Sequence, residues 1–295
     1  MKKSFPLMLT ALAGLALAQT GGGRVIQFES QNFTGNLRNG PYNFTGTAQE
    51  PVKATVSTLK ISSMRAVLSV ADGSPITAAQ GKRTAEFSES VTVTRGRLTA
   101  KGTALSYSEA SGNGTLRGGA SAVFRPQQAD QDPVNISADA MSFDVDTNVS
   151  TSRGDVKLVS GSQTGTSDQL VFDENREVGV LTGGVSMNRA ARGSQKALAI
   201  TGTEARVQTE DELVYMKGNV RLVSGNITTT GSELYYDDEK NVAVIVGNAV
   251  SVEKTASGNR TVRASAIEQR TDLGRVRQLT SYRIDTSKFK LSTEK

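Results

Sequence analysis

The chain has 295 residues, 34 Lys and Arg against 29 Asp and Glu for a formal charge of +5, and no Cys, His or Trp. That composition excludes a disulfide framework, a Cys/His metal centre and a Ser-His-Asp triad. Basic residues stand singly among acidic ones and only 5% of residues are aromatic, so the basic clusters and stacking rings that nucleic-acid binding needs are missing.

Lys2 and Lys3 precede an apolar run from Phe5 to Leu17 that ends in Ala16-Leu17-Ala18. This reads as a secretory signal peptide, residues 1–18, cut before Gln19. The run is shorter than the ~20 residues of a spanning helix, and no cysteine is present to carry a lipid anchor. Removing 18 of 295 residues leaves 277, and losing Lys2 and Lys3 takes the charge from +5 to +3. The expected product is an exported chain long enough to fold without staples, with a weak preference for anionic partners.

The first element expected in the exported chain is a hairpin. Asn32-Phe33-Thr34-Gly35 recurs as Asn43-Phe44-Thr45-Gly46 across a Gly40-Pro41 turn. Beyond it the chain has almost no 3.6-residue periodicity. Instead, short runs alternate apolar and polar residues, as in Ala140 to Val145, Asp155 to Val159 and Asn219 to Val223. Such runs, rich in Val and Thr and bounded by Gly, Asn, Asp and Ser, predict half-buried strands and an all-β fold.

The runs belong to an internal repeat. Residues 136–186 align without a gap on 200–250 at an offset of 64, with Gly154-Asp155-Val156-Lys157-Leu158-Val159 over Gly218-Asn219-Val220-Arg221-Leu222-Val223. Leu170, Phe172, Asp173, Val178 and Val180 then fall on Leu234, Tyr236, Asp237, Val242 and Val244. A degenerate copy lies upstream at an offset of 65, where Val91, Val93, Leu105 and Tyr107 correspond to Val156, Leu158, Leu170 and Phe172, and Glu89 replaces the glycine. A truncated copy opens at Val262 to Val276. Terminal copies deviate because they cap the stack. At ~5–6 residues per strand, each unit should hold about five or six strands and the chain more than fifteen. The segments Asp173 to Glu177 and Asp237 to Asn241 are expected to be solvated hairpin tips.

The expected organisation is a signal peptide over 1–18, an amino-terminal β region over 19–130 with the degenerate unit, and residues 131–295 with the two clear repeats and the truncated unit. A hinge could fall near Pro126 to Pro133, where Gln, Asp and Pro accumulate. Asp144-x-Asp146-x-Asn148 has the opening spacing of an EF-hand loop, but Val149 stands where Gly is required. It reads as a bend between strands. The Asn-x-Ser/Thr sequons at Asn32, Asn43, Asn135, Asn148 and Asn226 read as chance in a Ser/Thr-rich chain. No P-loop or dinucleotide fingerprint is present, so no enzyme, cofactor or metal is expected.

An Ile-x-Ala-Asp-like strand, then Gly-(Asp/Asn)-Val-x-Leu, Leu-x-(Phe/Tyr)-Asp, a charged tip and Val-x-Val-x-x-Gly together resemble the OstA-like family. That family includes the periplasmic bridge protein of lipopolysaccharide transport, its membrane-anchored partner and the amino-terminal domain of the outer-membrane translocon. The likeness is clearest over 136–252, fainter over 59–124, and lapses in the first forty exported residues. It implies an elongated, V-shaped, open β-jelly roll whose apolar interior holds lipid acyl chains. It also implies a periplasmic location and end strands that pair with other OstA-like components or with further copies in a homo-oligomer. The implied cargo is lipopolysaccharide or another envelope glycolipid.

The groove-lining candidates are then Val91, Val93, Leu105 and Tyr107 from the first unit. The second unit supplies Val156, Leu158, Leu170, Phe172, Val178 and Val180. The third supplies Val220, Leu222, Leu234, Tyr236, Val242 and Val244. Val156 and Leu158, Leu170 and Phe172, and Val178 and Val180 are expected on one continuous apolar face. Each of these side chains taken singly also fits an ordinary sandwich core. Two further readings stay open: a transmembrane barrel, which should show aromatic girdles, and a structural or adhesive envelope protein with a solid core.

Overall fold

The computed structural model describes residues 23–71, 74–128, 131–193 and 195–294; the signal-peptide expectation over 1–18 lies outside them. Six short strands come first: β1 (Gln27–Glu29), β2 (Asn32–Gly35), β3 (Tyr42–Thr45), β4 (Val52–Val56), β5 (Leu59–Ser63) and β6 (Arg65–Ser69). Six strands of 11 or 12 residues follow: β7 (Thr84–Arg95), β8 (Leu98–Ser108), β9 (Asn113–Phe124), β10 (Val134–Asp144), β11 (Val149–Ser160) and β12 (Gln163–Asp173). The ladder continues through β13 (Val178–Arg189), β14 (Leu198–Gln208), β15 (Leu213–Ser224), β16 (Ile227–Asp237), β17 (Val242–Thr255) and β18 (Gly258–Arg270), and ends on the short β19 (Arg275–Leu279). From β7 to β19 every strand pairs antiparallel with the next. The fold is all-β, a single sheet of 19 strands.

The odd strands from β7 to β17 are bent at mid-length. Each bend is a shift of pairing register at two successive residues of positive φ: Glu89-Ser90, Gly118-Gly119, Gly154-Asp155, Gly183-Gly184, Gly218-Asn219 and Gly247-Asn248. A bulge of this kind kinks its strand and raises the local twist. Glycine is required at its first position for two reasons. The backbone of Gly183 has φ +81°, and a Cβ there would lie 2.2 Å from the Asp168 carboxylate on β12. On Gly218, at φ +82°, it would lie 1.9 Å from the Thr203 hydroxyl on β14. In the degenerate unit Glu89 takes the same conformation without glycine, at φ +63°.

Aligned bulges fold the whole sheet along one line. A strand of twelve residues rises about 40 Å, yet side chains from opposite margins of the sheet touch. Arg95, at the end of β7, lies 2.6 Å from Glu174, beyond the end of β12. Arg189, at the end of β13, lies 2.6 Å from Asp238, beyond the end of β16. The result is the expected open β-jelly roll: two layers continuous through the fold line, with two lips facing each other on the other side. Each 64-residue unit contributes four long bent strands. The expectation of five or six short ones failed because the Gly-Asp and Gly-Asn pairs were read as strand ends.

At the amino-terminal end the layers separate across the first bulge. The carboxy-terminal half of β7 pairs with β5 and its amino-terminal half with β6. One branch continues to β4 and β1, the other to β3 and β2. The repeated Asn-Phe-Thr-Gly segments are β2 and β3, paired as a hairpin. Between the branches Phe28 stacks on Phe44 at 4.3 Å and lies 5.6 Å from Phe87. Beyond residues 125–133, β9 and β10 pair along their full length, so one ladder runs through both regions.

The other end is less enclosed. β19 pairs only with Ala266 to Arg270 of β18, leaving the first half of β18 with one neighbour among the described residues. The chain then turns back over the outside of the sheet, where Ile284 and Phe289 pack on Leu213 and Tyr215, and Leu291 on Val178 and Val180.

Candidate functional site

The strand pairing decides which candidates share a face. In the hairpin of β12 and β13, Leu170 opposes Leu181 and Phe172 opposes Gly179, while Val171 opposes Val180 and Asp173 opposes Val178. Val178 and Val180 therefore point outward, under Leu291 of the returning tail. The next hairpin repeats the pattern, with Leu234 on Ile245 and Tyr236 on Ala243, so Val242 and Val244 also face outward. The expectation that these four valines share a face with the Leu-x-aromatic pairs is corrected. The other twelve candidates belong to a single interior cluster, with Leu158 at its partly exposed margin.

That interior is not uniform. Val91, Val93, Leu105 and Tyr107 are at most 1% exposed, and none lines the cavity found further along the roll. Between β9 and β16 the packing opens into a cavity of about 260 Å³, close to the lower end of ligand pockets, about 300–1,000 Å³. Four candidates line it: Leu158, Leu170, Phe172 and Tyr236. Val156, Val220, Leu222 and Leu234 point the same way but do not reach it.

The remaining apolar lining comes from residues outside the groove-lining candidates, among them Phe124, Ile136, Leu181, Met187, Leu198 and Ile200. The signal for Leu181 was the tip length. Four residues separate Asp173 from Val178, which pair, and this fixes Leu181 rather than Val180 opposite Leu170. Phe124 stacks edge-on against Phe172 at 4.8 Å, from strands three apart in the ladder. Only the folding of the sheet brings them together.

Polar clasps hold the lips over the interior. Arg95 is almost fully buried; it donates to Glu174 from Nε and Nη2 and to the Asp144 carbonyl from Nη1. Arg97 pairs with Glu177 and lies 4.8 Å over the Phe124 ring. Further along, the Asp238 carboxylate accepts from Arg189 Nη1 at 2.6 Å, Tyr236 Oη at 2.6 Å and Gln163 Nε2 at 2.9 Å. Gln195 Nε2 donates to Asn241 Oδ1 at 2.7 Å. The apices of the tips, Asn175-Arg176 and Glu239-Lys240, are solvated as expected, but Glu177 is buried, and Asp173 and Asp237 cap their own turns from within. Burial holds the Glu174 carboxyl above its ordinary value despite Arg95. Burial, with Asp238 beside it, pushes the Tyr236 phenol far up, so it stays a donor. Asp144 caps the tip after β10 by accepting from the Asp146 and Thr147 amides, which makes the EF-hand-like spacing a turn.

Residues 135–275 match the family described as LptA/(LptD N-terminal domain) LPS transport protein. Over this segment the chain is similar to that family. No curated protein matches the chain in sequence. Among solved structures it is similar to LptH, the LptA homologous periplasmic component of the conserved lipopolysaccharide transport device from Pseudomonas aeruginosa, at 17% identity and a TM-score of 0.38. That alignment covers 44% of this chain and 94% of LptH. The matched segment spans β10 to β18 and reaches β19, so it contains most of the cavity lining and the Arg189–Asp238 clasp. Arg95, Arg97 and Phe124 lie outside it.

Proposed function

We propose that the chain shields the acyl chains of lipopolysaccharide or a related envelope glycolipid inside the roll as the lipid crosses the periplasm. The observation that carries this reading is the cavity, an apolar hollow continuous with the interior face and bordered by polar lips. A twelve-carbon chain left in water costs roughly 10 kcal/mol at ~0.8 kcal/mol per CH₂. A trough of Leu, Ile, Met and Phe offsets that cost without catalytic chemistry. The partly unpaired edge at β18 and β19 supports end-to-end pairing with other OstA-like components or with a second copy, since exposed strand edges add strands readily.

Photo-crosslinking from Leu158 and Phe172 tests the reading, with outward-facing Lys157 and Arg221 as controls. Lipid adducts at the first pair alone are expected; equal adducts at both pairs would refute it. A second reading draws on the amino-terminal region, where the interior is packed solid around Leu105 and Tyr107. There the chain serves as a structural plug, and the lipid path is limited to the second and third units.

A further inference from the structure

Two hollows meet at the margin of the sheet formed by β12, β13 and β14. The apolar cavity lies inside the lip formed by the ends of β12, β13 and β14. A second hollow, of about 480 Å³, is bordered by Ala190, Ala199 and, from the neighbouring β15, Val223. Ser162, Thr164, Asn188, Arg189 and Leu198 border both, and Arg189 is the charged residue among them. Its guanidinium is buried and held by Asp238, Tyr236, Asn241 and the Lys196 carbonyl, yet its Nε has no hydrogen-bond partner.

We propose that the Arg189–Asp238 clasp is a lateral gate, through which an acyl chain enters or leaves the cavity sideways instead of threading in from an end of the roll. This deepens the lipid-shielding reading and rests on it. Three features set this clasp apart. It joins the lip to a single tip, through Tyr236 at the end of β16 and Asp238 and Asn241 beyond it. The Arg95–Glu174 clasp, by contrast, is reinforced by a bond to the Asp144 carbonyl and by the Phe143 ring 5.8 Å away. Second, the closed state leaves a buried donor unsatisfied, a penalty that opening would relieve. Third, parting Arg189 from Asp238 joins the two hollows into one passage from the apolar interior to the outside. An amphiphile in that passage would have its chain among Leu158, Met187 and Leu198 and its polar end at the freed guanidinium.

The chain has no cysteine, so the gate can be locked cleanly. In a Gln195→Cys/Asn241→Cys variant, the two thiols are bridged with a short, cleavable bifunctional reagent, and uptake of a fluorescent fatty acid is followed by stopped flow. A protein capped singly at each thiol is the control. Bridging should slow uptake tenfold or more, and cleaving the bridge should restore it. In an unbridged Arg189→Gln/Asp238→Asn variant, uptake should be several-fold faster than in the wild type. Unchanged uptake by the bridged protein would overturn the gate and leave lipid shielding standing. No uptake by any form, wild type included, would overturn both.

Discussion

The amino-terminal end and the middle of the roll are built from the same repeat, yet one is sealed and the other is clasped over a void. At the sealed end the inward positions of the first unit are covered by the extra strands β1 to β6. Phe28 and Phe44 enter between the layers, Phe44 stacked on Phe28 and Phe28 on Phe87. The polar seal is equally closed: Glu109 accepts from the Arg83 guanidinium and from the Ile26, Gly81 and Arg83 amides, with no side-chain exposure. In the middle, no aromatic insertion fills the equivalent space, and the lips meet through polar side chains instead. The same inward face is therefore a solid core where something is inserted and a cavity where nothing is.

The comparison breaks most visibly at Arg83. Substituting Arg83→Ala leaves the Glu109 carboxylate buried without its partner, which should cost about 3–5 kcal/mol and lower the denaturation midpoint sharply. Substituting Asp238→Ala at the mouth should cost much less, because Arg189 keeps Tyr236, Asn241 and a carbonyl. Equal losses for the two would mean that sealed and clasped regions do not differ.

Next in size is the fold line. Gly183→Val adds a clash with Asp168 to an unfavourable positive φ, and should destabilise by about 3 kcal/mol. Glu89→Gly should stabilise the first bend by about 1 kcal/mol, measured as a rise in the same midpoint. A smaller effect is expected on the outside of the sheet. Ending the chain after Leu279 should leave the roll folded but uncover Leu213, Tyr215, Val178 and Val180, seen as increased binding of an apolar dye.

Acidification should give the smallest effect, in a defined order. Burial raises the Glu174 carboxyl, so its clasp with Arg95 loses its charge while the pH is still above the ordinary glutamate value of 4.5. Because the fold holds that proton more tightly than the unfolded chain, protonating Glu174 does not itself lower stability. Glu294 is lowered by its hydrogen bonds with Arg206, which tie down the returning tail. Its contribution is full above 4.5 and is lost as the pH falls below that value. Carboxyl titrations by NMR, alongside limited proteolysis of the tail, should show the lip pair neutralised first and the tail released second.

The repeat and the all-β class were legible because alternation and the Gly-(Asp/Asn)-Val signature recur at a fixed spacing, and the open roll was implied by the resemblance to the OstA-like family. What escaped was the meaning of the glycine. Gly154-Asp155 ends no strand; it bends one, and a bulge and a turn call for the same residues. The facing of Val178 and Val180 escaped because β13 is apolar on both faces, one against the interior and one under Leu291. Alternation cannot assign a strand covered on two sides. The cavity itself depends on contacts such as Phe124 with Phe172, which join strands three apart and leave no trace in local sequence.

The central claim is that cargo occupies the middle of the roll and is excluded from its sealed end. Methyl NMR with a fatty acid spin-labelled along its chain tests this most directly. The methyl signals of Leu158, Leu170 and Met187 should broaden, and those of Leu105 and Leu116 should not. Broadening of both sets alike, or of neither, would contradict the account.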